Sequence, residues 1–180
     1  MLIAQISDLH IGFDGPGRDD GNLRRLDQAL TEIEAMAGRA DLLLATGDLA
    51  EHGDEASYRL LAERLAACPI PSHLMLGNHD TRGGFRAAFP DAPDVAGYLQ
   101  YVIDAPALRI VMLDTLDEGR HGRAFCETRV AWLADRLAEA PDTPTLVALH
   151  HPPIDTGIEW MMTEHVDFRV ARLRAALAGR

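Results

Sequence analysis

Four short apolar runs in this chain end in the same manner. LIAQI (2–6) is followed by Ser7-Asp8-Leu9-His10, LLLAT (42–46) by Gly47-Asp48, HLML (73–76) by Gly77-Asn78-His79-Asp80, and TLVAL (145–149) by His150-His151-Pro152-Pro153. Short apolar runs bounded by turn formers have the length of buried strands. Between them lie segments with helical spacing. Leu23, Leu26, Leu30 and Ile33 mark one within 22–37, and Tyr58, Leu61 and Leu65 mark another behind a capping Asp54, closed by Pro69 and Pro71. RVAWLADRLAE (129–139) is amphipathic, and Val166, Val170, Leu173 and Leu177 mark a last helix. YLQYVID (98–104) and LRIVML (108–113) read as a strand pair around a turn at Ala105-Pro106. Strands alternating with helices predict an α/β fold with a mostly parallel sheet. In such a sheet the strand ends share one rim, and ligands bind in the crevice outside it. The polar endings are therefore expected to converge.

Turn and cap chemistry explains Asp8, Asp48 or Asn78 taken singly. Taken together with His10 and His150, they form a set of oxygen and nitrogen donors without a thiolate. That set suits Mn, Fe, Zn or Co better than a cysteine-based structural zinc site. Asp8 and His10, two residues apart on one loop, can face one ion. Asp48, alone on its turn, can bridge two ions through its two oxygens. Asn78 offers a neutral carbonyl oxygen, which leaves a metal more Lewis-acidic, and His150 completes the second set. Two metals about 4 Å apart can clamp the attacking and leaving oxygens of a phosphoryl displacement and turn a bridging water into hydroxide. His79 follows a ligand position and is left to hydrogen-bond a phosphate oxygen or protonate the leaving alkoxide.

Composition narrows the alternatives. A chain of 180 residues predicts one domain, 1–180, able to bury a sizeable core. The net charge is -11 and there is no basic stripe, which argues against nucleic acid and anionic membranes. All 17 basic residues are arginine, so Schiff-base chemistry and a P-loop lysine are excluded. No apolar stretch of about 20 residues predicts a membrane span, and no signal peptide is visible at Met1-Leu2-Ile3. Cys68 and Cys126 form neither a CxxC pair nor a disulfide framework, which predicts a cytoplasmic protein.

ISDLH, TGDLAEHG, LGNHD and ALHHPP, in that order, resemble the calcineurin-like metallophosphoesterases, above all the bacterial class III cyclic-nucleotide phosphodiesterases and glycerophosphodiesterases. HPPIDTGIEWM (151–161) and WLADRL support the resemblance, which runs over essentially the whole chain. It implies a sandwich of two mixed β-sheets flanked by helices. It also implies Asp8, His10 and Asp48 as first-metal ligands, Asp48, Asn78 and His150 as second-metal ligands, and His79 as the catalytic imidazole. The implied activity is hydrolysis of a small phosphodiester, a cyclic nucleotide or a glycerophosphodiester, at a dinuclear centre with bridging hydroxide as nucleophile.

One departure stands out. Members of that family carry a later GHxH motif whose two histidines add one ligand to each metal, and this chain ends at Leu177-Ala178-Gly179-Arg180 without it. Each metal is then expected to be one protein ligand short, and the C-terminal strands to be missing. The edge so left would attract a partner. That predicts a fragment, a truncated product or a swapped homo-oligomer, and as the alternative function a non-catalytic or weakly active interaction protein. Elsewhere, His151 is expected behind the ligands, Asp80 to orient a neighbour or cap the next segment, and Asp114 to cap. His52, His73, His121 and His165 read as loop, strand or helix-end residues. Arg120 and Arg123 could meet a phosphate, and Trp160, Met161 and Met162 read as packing.

Overall fold

The structure is a computed structural model and describes residues 1–15, 20–36, 40–106, 108–120, 124–153 and 167–177. Among these the elements run β1 (Ile3–Ile6), α1 (Gly21–Ala35), β2 (Leu42–Thr46), α2 (Glu55–Ala67), β3 (Ser72–Met75), α3 (Arg82–Ala88), β4 (Tyr101–Asp104), β5 (Arg109–Met112), α4 (Glu127–Ala138), β6 (Thr145–Ala148) and α5 (Asp167–Leu177). His121, Arg123, Trp160, Met161, Met162, His165 and Val166, and the part of HPPIDTGIEWM after Pro153, lie outside the described residues.

Connection length decides strand direction. β1 and β2 are joined through α1, and β2 and β3 through α2, so both pairs are parallel, with Ile3 opposite Leu42 and Leu43 opposite Ser72. β4 and β5 are joined by a short turn and pair antiparallel, Val102 opposite Val111. β5 reaches β6 through α4 and pairs parallel, Val111 opposite Val147. The result is two three-stranded sheets, β1-β2-β3 and β4-β5-β6. The two-residue alternation of strand side chains then sorts the core into layers. Leu43 and Ala45 of β2 face Leu23, Leu26 and Leu30 of α1 and Tyr58 and Leu61 of α2. Leu42 and Leu44, on its other face, meet Ile110 and Met112 of β5 between the sheets. Val111 and Leu113 face Leu133 and Leu137 of α4 and Leu173 of α5. Helices, sheet, sheet and helices therefore stack in four layers, the sandwich that the family resemblance implied.

Two local expectations change. The four strand endings do not share the rim of one sheet: β1, β2 and β3 belong to the first and β6 to the second, so the rim is composite. The first sheet is parallel throughout, and the mixture of directions sits in the second. The strand read at 98–104 begins only at Tyr101, because Val95 and Tyr98 close a tight turn of their own. Tyr101 has a further use. Its hydroxyl accepts from Leu74 N–H (3.0 Å) and donates to the Leu74 carbonyl (2.9 Å), occupying the outer side of β3 with a side chain instead of a strand.

Candidate metal centre

The first two strand endings are aligned by continuing the ladder past the strands. Asp8 N–H donates to the Gly47 carbonyl (3.1 Å), His10 N–H to that of Asp48 (2.9 Å) and Ile11 N–H to that of Leu49 (3.1 Å). Asp80 locks in the third. It is 2% exposed, and its carboxylate accepts from the N–H groups of Leu49 (3.1 Å), Ala50 (3.1 Å) and Gly77 (2.8 Å) and from the Tyr58 hydroxyl (2.9 Å). Asp80 thus orients its neighbours, while the cap of α3 is Thr81, whose side chain accepts from Gly84 N–H. His79 N–H donates to Asp48 Oδ1 (3.0 Å). The fourth ending arrives from the other sheet, where His150 Nδ1 donates to the Thr46 carbonyl (2.8 Å). Gly47 has φ +99°, and a Cβ on it would run into the His150 ring; a Cβ on Gly77 would run into the Asp48 carboxylate. Glycine at both places is what lets the four endings close up.

Asp48 is the common member. Its Oδ2 lies 3.7 Å from His10 Nε2 and its Oδ1 3.5 Å from His150 Nε2, and Asp8 Oδ1 lies 3.9 Å from His10 Nε2. Two groups of donor atoms result, each within 4.8 Å: His10, Asp48 and His79, and Asp8, Asp48 and His150. The structure therefore brings Asp8, His10, Asp48 and His150 together and sets His79 among them rather than apart. Asn78 is half-buried between Gly77 and His79, whose N–H groups are both fixed to carboxylates of this centre.

The hydrogen bonds behind the imidazoles favour a cation in front of them. His10 Nδ1 is 2.8 Å from Glu51 Oε2, and a carboxylate only accepts, so Nδ1 donates there and Nε2 is the nitrogen that faces Asp8 and Asp48. His150 is fixed in the same sense by the Thr46 carbonyl. Metal-binding histidines are oriented in this way by a carboxylate or carbonyl on the far nitrogen. Burial pushes the Asp48 carboxyl up, but the His150 hydrogen bond and charge and the His79 N–H bring it down to about 2. Burial pushes His150 down, and Asp48 more than reverses it, so its value is raised. The donor set fits a cation with Asp48 ionised between two groups.

The backbone is strained at three of the converging donor positions. Asp8, His10 and Asp48 have φ of 57°, 45° and 50°; among the described residues Ala96 is the one other non-glycine residue with positive φ. Such conformations cost about 1–3 kcal/mol each and persist where surrounding structure holds them.

Three further groups were not visible as site residues in the sequence. Glu51 touches both imidazoles: besides its bond to His10, its carbonyl accepts from His79 Nδ1 (3.1 Å), and its Oε1 lies 3.6 Å from that nitrogen. Tyr58, fully buried in α2, donates to Asp80 and accepts from Thr81 N–H (3.0 Å). Asp114, also fully buried, does accept from Leu116 N–H (3.0 Å) like a turn residue. Its main partner, however, is the Arg82 guanidinium, bound through Nη2 (2.7 Å) and Nε (3.0 Å). In the sequence Tyr58 reads as an inward-facing helix residue and Asp114 as a strand-end cap; the partners that tie them in are supplied by the fold. His151 is buried behind the centre, 2.8 Å from Thr115 Oγ1 and edge-on to His150, as expected. His52 is an exposed loop residue and His73 lies in β3 against Tyr101.

Comparisons with known proteins identify the family. The family model described as "Calcineurin-like phosphoesterase" matches residues 1–174. The chain is 44% identical over 170 residues to the "Probable cyclic nucleotide phosphodiesterase" RPA0124 of Rhodopseudomonas palustris, covering 91% of this chain and 61% of that one. It is 34% identical over 163 residues to the 3',5'-cyclic adenosine monophosphate phosphodiesterase CpdA of Escherichia coli K12, covering 89% and 58%. It is 29% identical over 185 residues to the "Probable glycerophosphodiester phosphodiesterase GpdQ" of Arcobacter nitrofigilis, covering 100% and 67%. The chain thus spans between 58% and 67% of the length of these three relatives. A family match over nearly every residue, on a sandwich that gathers Asp and His from four strand endings, leaves one conclusion: the chain belongs to the calcineurin-like phosphoesterase family.

Proposed function

We propose that this chain carries the metal centre of a phosphodiesterase acting on a small phosphodiester, a cyclic nucleotide or a glycerophosphodiester. The observation that carries the reading is Asp48: one ionised, buried carboxylate shared by two donor groups drawn from separate strand endings. The printed names of the relatives supply the substrate class. In this reading Asp8, His10 and Asp48 would hold one cation and Asp48, Asn78 and His150 a second, of Mn, Fe, Zn or Co; the family resemblance supplies that division, whereas the donor atoms themselves cluster as His10, Asp48 and His79 and as Asp8, Asp48 and His150. Two such ions supply Lewis acidity to the phosphate oxygens and an acidified water. The rest of the work belongs to the chain. Asp48 fixes the spacing between the two positions, and Glu51 and the Thr46 carbonyl hold the imidazoles in the tautomer that presents Nε2. His79, with Nδ1–H given to the Glu51 carbonyl, would act as the acid from Nε2 in its imidazolium form, passing that proton to the leaving oxygen and returning to the neutral ring.

We read residues 1–180 as a single domain, and place it in the cytoplasm. Both described cysteines are free thiols, and no helix among the described residues is long and apolar enough to cross a membrane. The test is hydrolysis of bis(4-nitrophenyl) phosphate, 3',5'-cyclic AMP and glycerophosphoethanolamine after loading with Mn²⁺. Activity on at least one diester is expected, with Asp48→Ala reducing it by about 10³-fold or more. Equal turnover by Asp48→Ala rejects the mechanism.

A further inference from the structure

A second concave site lies apart from the metal centre. A cavity of about 530 Å³ opens between the start of β3, the end of α3 and the segment leading into β4. Ser72 and His73 begin β3, whereas Asn78 and His79 follow its other end. The volume lies in the ordinary range of small-molecule sites. Four rings line the cavity: Phe85 stacks on Phe89 (centroids 4.7 Å apart, 22° between planes), and His73 meets Tyr101 (6.0 Å). The Tyr101 hydroxyl is engaged by the N–H and carbonyl of Leu74, which leaves its ring for a guest. The same bridge closes the outer side of β3 at Leu74, so the guest is not an added peptide strand.

Charge selects the guest. Asp91 is the one carboxylate in the lining, and no arginine shares it. Asp91 is exposed and has no ion-pair partner among the described residues. Burial pushes His73 down, so its imidazole stays neutral. The Arg86 guanidinium, also on α3, is turned to the Asp94 carboxylate (2.8 Å) and the Gly97 carbonyl (2.9 Å). Ring faces carry negative partial charge and attract cations, above all alkylated ammonium ions. A carboxylate beside aromatic walls therefore disfavours anions, and the net charge of -11 acts in the same direction. A bare metal ion is a poor guest, because it needs several oxygen or nitrogen donors and the lining offers one carboxylate.

We infer that this cavity binds a substituted ammonium ion with an apolar body. The body takes the place of water against the aromatic and aliphatic lining, and the charge lies between the ring faces and the Asp91 carboxylate.

The test uses the full chain and does not depend on its activity. Benzyltrimethylammonium is titrated into the protein and its own NMR signals are followed. Saturable binding is expected with Kd of about 0.1–1 mM, in keeping with a ligand of this size. Phenylacetate and benzyl alcohol, which keep the ring without the cation, are expected to bind more weakly. Asp91→Asn removes the charge from an exposed loop, and Phe89→Leu removes a ring while keeping an apolar side chain. Each is expected to raise Kd by about two- to fivefold, with melting by circular dichroism confirming that the variants are folded. Excess Mn²⁺ is expected to leave the affinity unchanged. Absence of saturable binding, equal affinity for phenylacetate or benzyl alcohol, an unaltered Kd in both variants, or displacement by Mn²⁺ overturns the proposal.

Discussion

At the scale of single residues, the centre depends on which nitrogen of each imidazole holds a proton. Glu51 sets this for His10 and faces His79 as well. Glu51→Gln keeps the shape and removes the charge, so it should weaken Mn²⁺ binding by about 10- to 100-fold in isothermal titration calorimetry. An unchanged affinity would remove Glu51 from the description of the site. Protons compete for the same positions. The His150 value is raised by Asp48, so the pair stabilises the metal-free protein fully below about pH 6.5 and loses that contribution as pH rises through the higher native value. The melting temperature of chelator-treated protein should therefore fall from about pH 6 to about pH 8.5 by more in the wild type than in His150→Gln, read by circular dichroism. Metal uptake should show the opposite trend and strengthen as pH rises, because the imidazole must be neutral to bind. The convergence of Asp8, His10, Asp48 and His150 could be expected from the sequence because each lies within four residues of the end of an apolar run. The part of Glu51 could not, because a carboxylate three residues beyond a turn looks like any solvated loop residue until the fold brings His10 and His79 to it.

Among the elements, α2 does more than cover the sheet. Tyr58 reaches from it into the turn after β3 and joins Asp80 to the start of α3 through one hydroxyl. Tyr58→Phe should cost about 1–3 kcal/mol, because it leaves a buried carboxylate and the Thr81 N–H each short of a partner. Urea denaturation measures this, and a loss under about 0.5 kcal/mol would mean that the neighbouring N–H groups suffice. The helical spacing of α2 and its Asp54 cap were readable in advance, since Tyr58, Leu61 and Leu65 are buried and Asp54 accepts from Ser57 N–H (2.9 Å). The short helix α3 was not, because its sequence RGGFRAA contains two glycines and no full apolar stripe. It forms where Thr81 caps it and Phe85 packs against Tyr58. The late start of β4 has a similar origin: Asp114 accepts from Leu99 N–H (2.9 Å) and draws the chain out of the ladder before Tyr101.

Over the whole molecule, the centre lies across two sheets whose shared core is built from Leu42, Leu44, Met75, Ile110 and Met112. Alternation of strands and helices announced an α/β chain, but whether the strands formed one sheet or two depends on which faces pair. Both faces of β2 are apolar, so its pattern fits either arrangement. A cation bound to the folded chain alone should raise its stability by about 2.7 kcal/mol at a hundredfold excess over Kd. A melting temperature that does not respond to Mn²⁺ would argue against binding across the sheets. The left-handed backbone at Asp8 leads further. Asp8 is largely exposed and sits at φ 57°, a conformation glycine adopts without penalty. Exchanging it for glycine should leave the metal-free protein as stable as before or slightly more so, while deleting a donor. Any laboratory evolution of this chain that rewards survival of heating alone, without asking for turnover, would therefore tend to erase one donor of the centre.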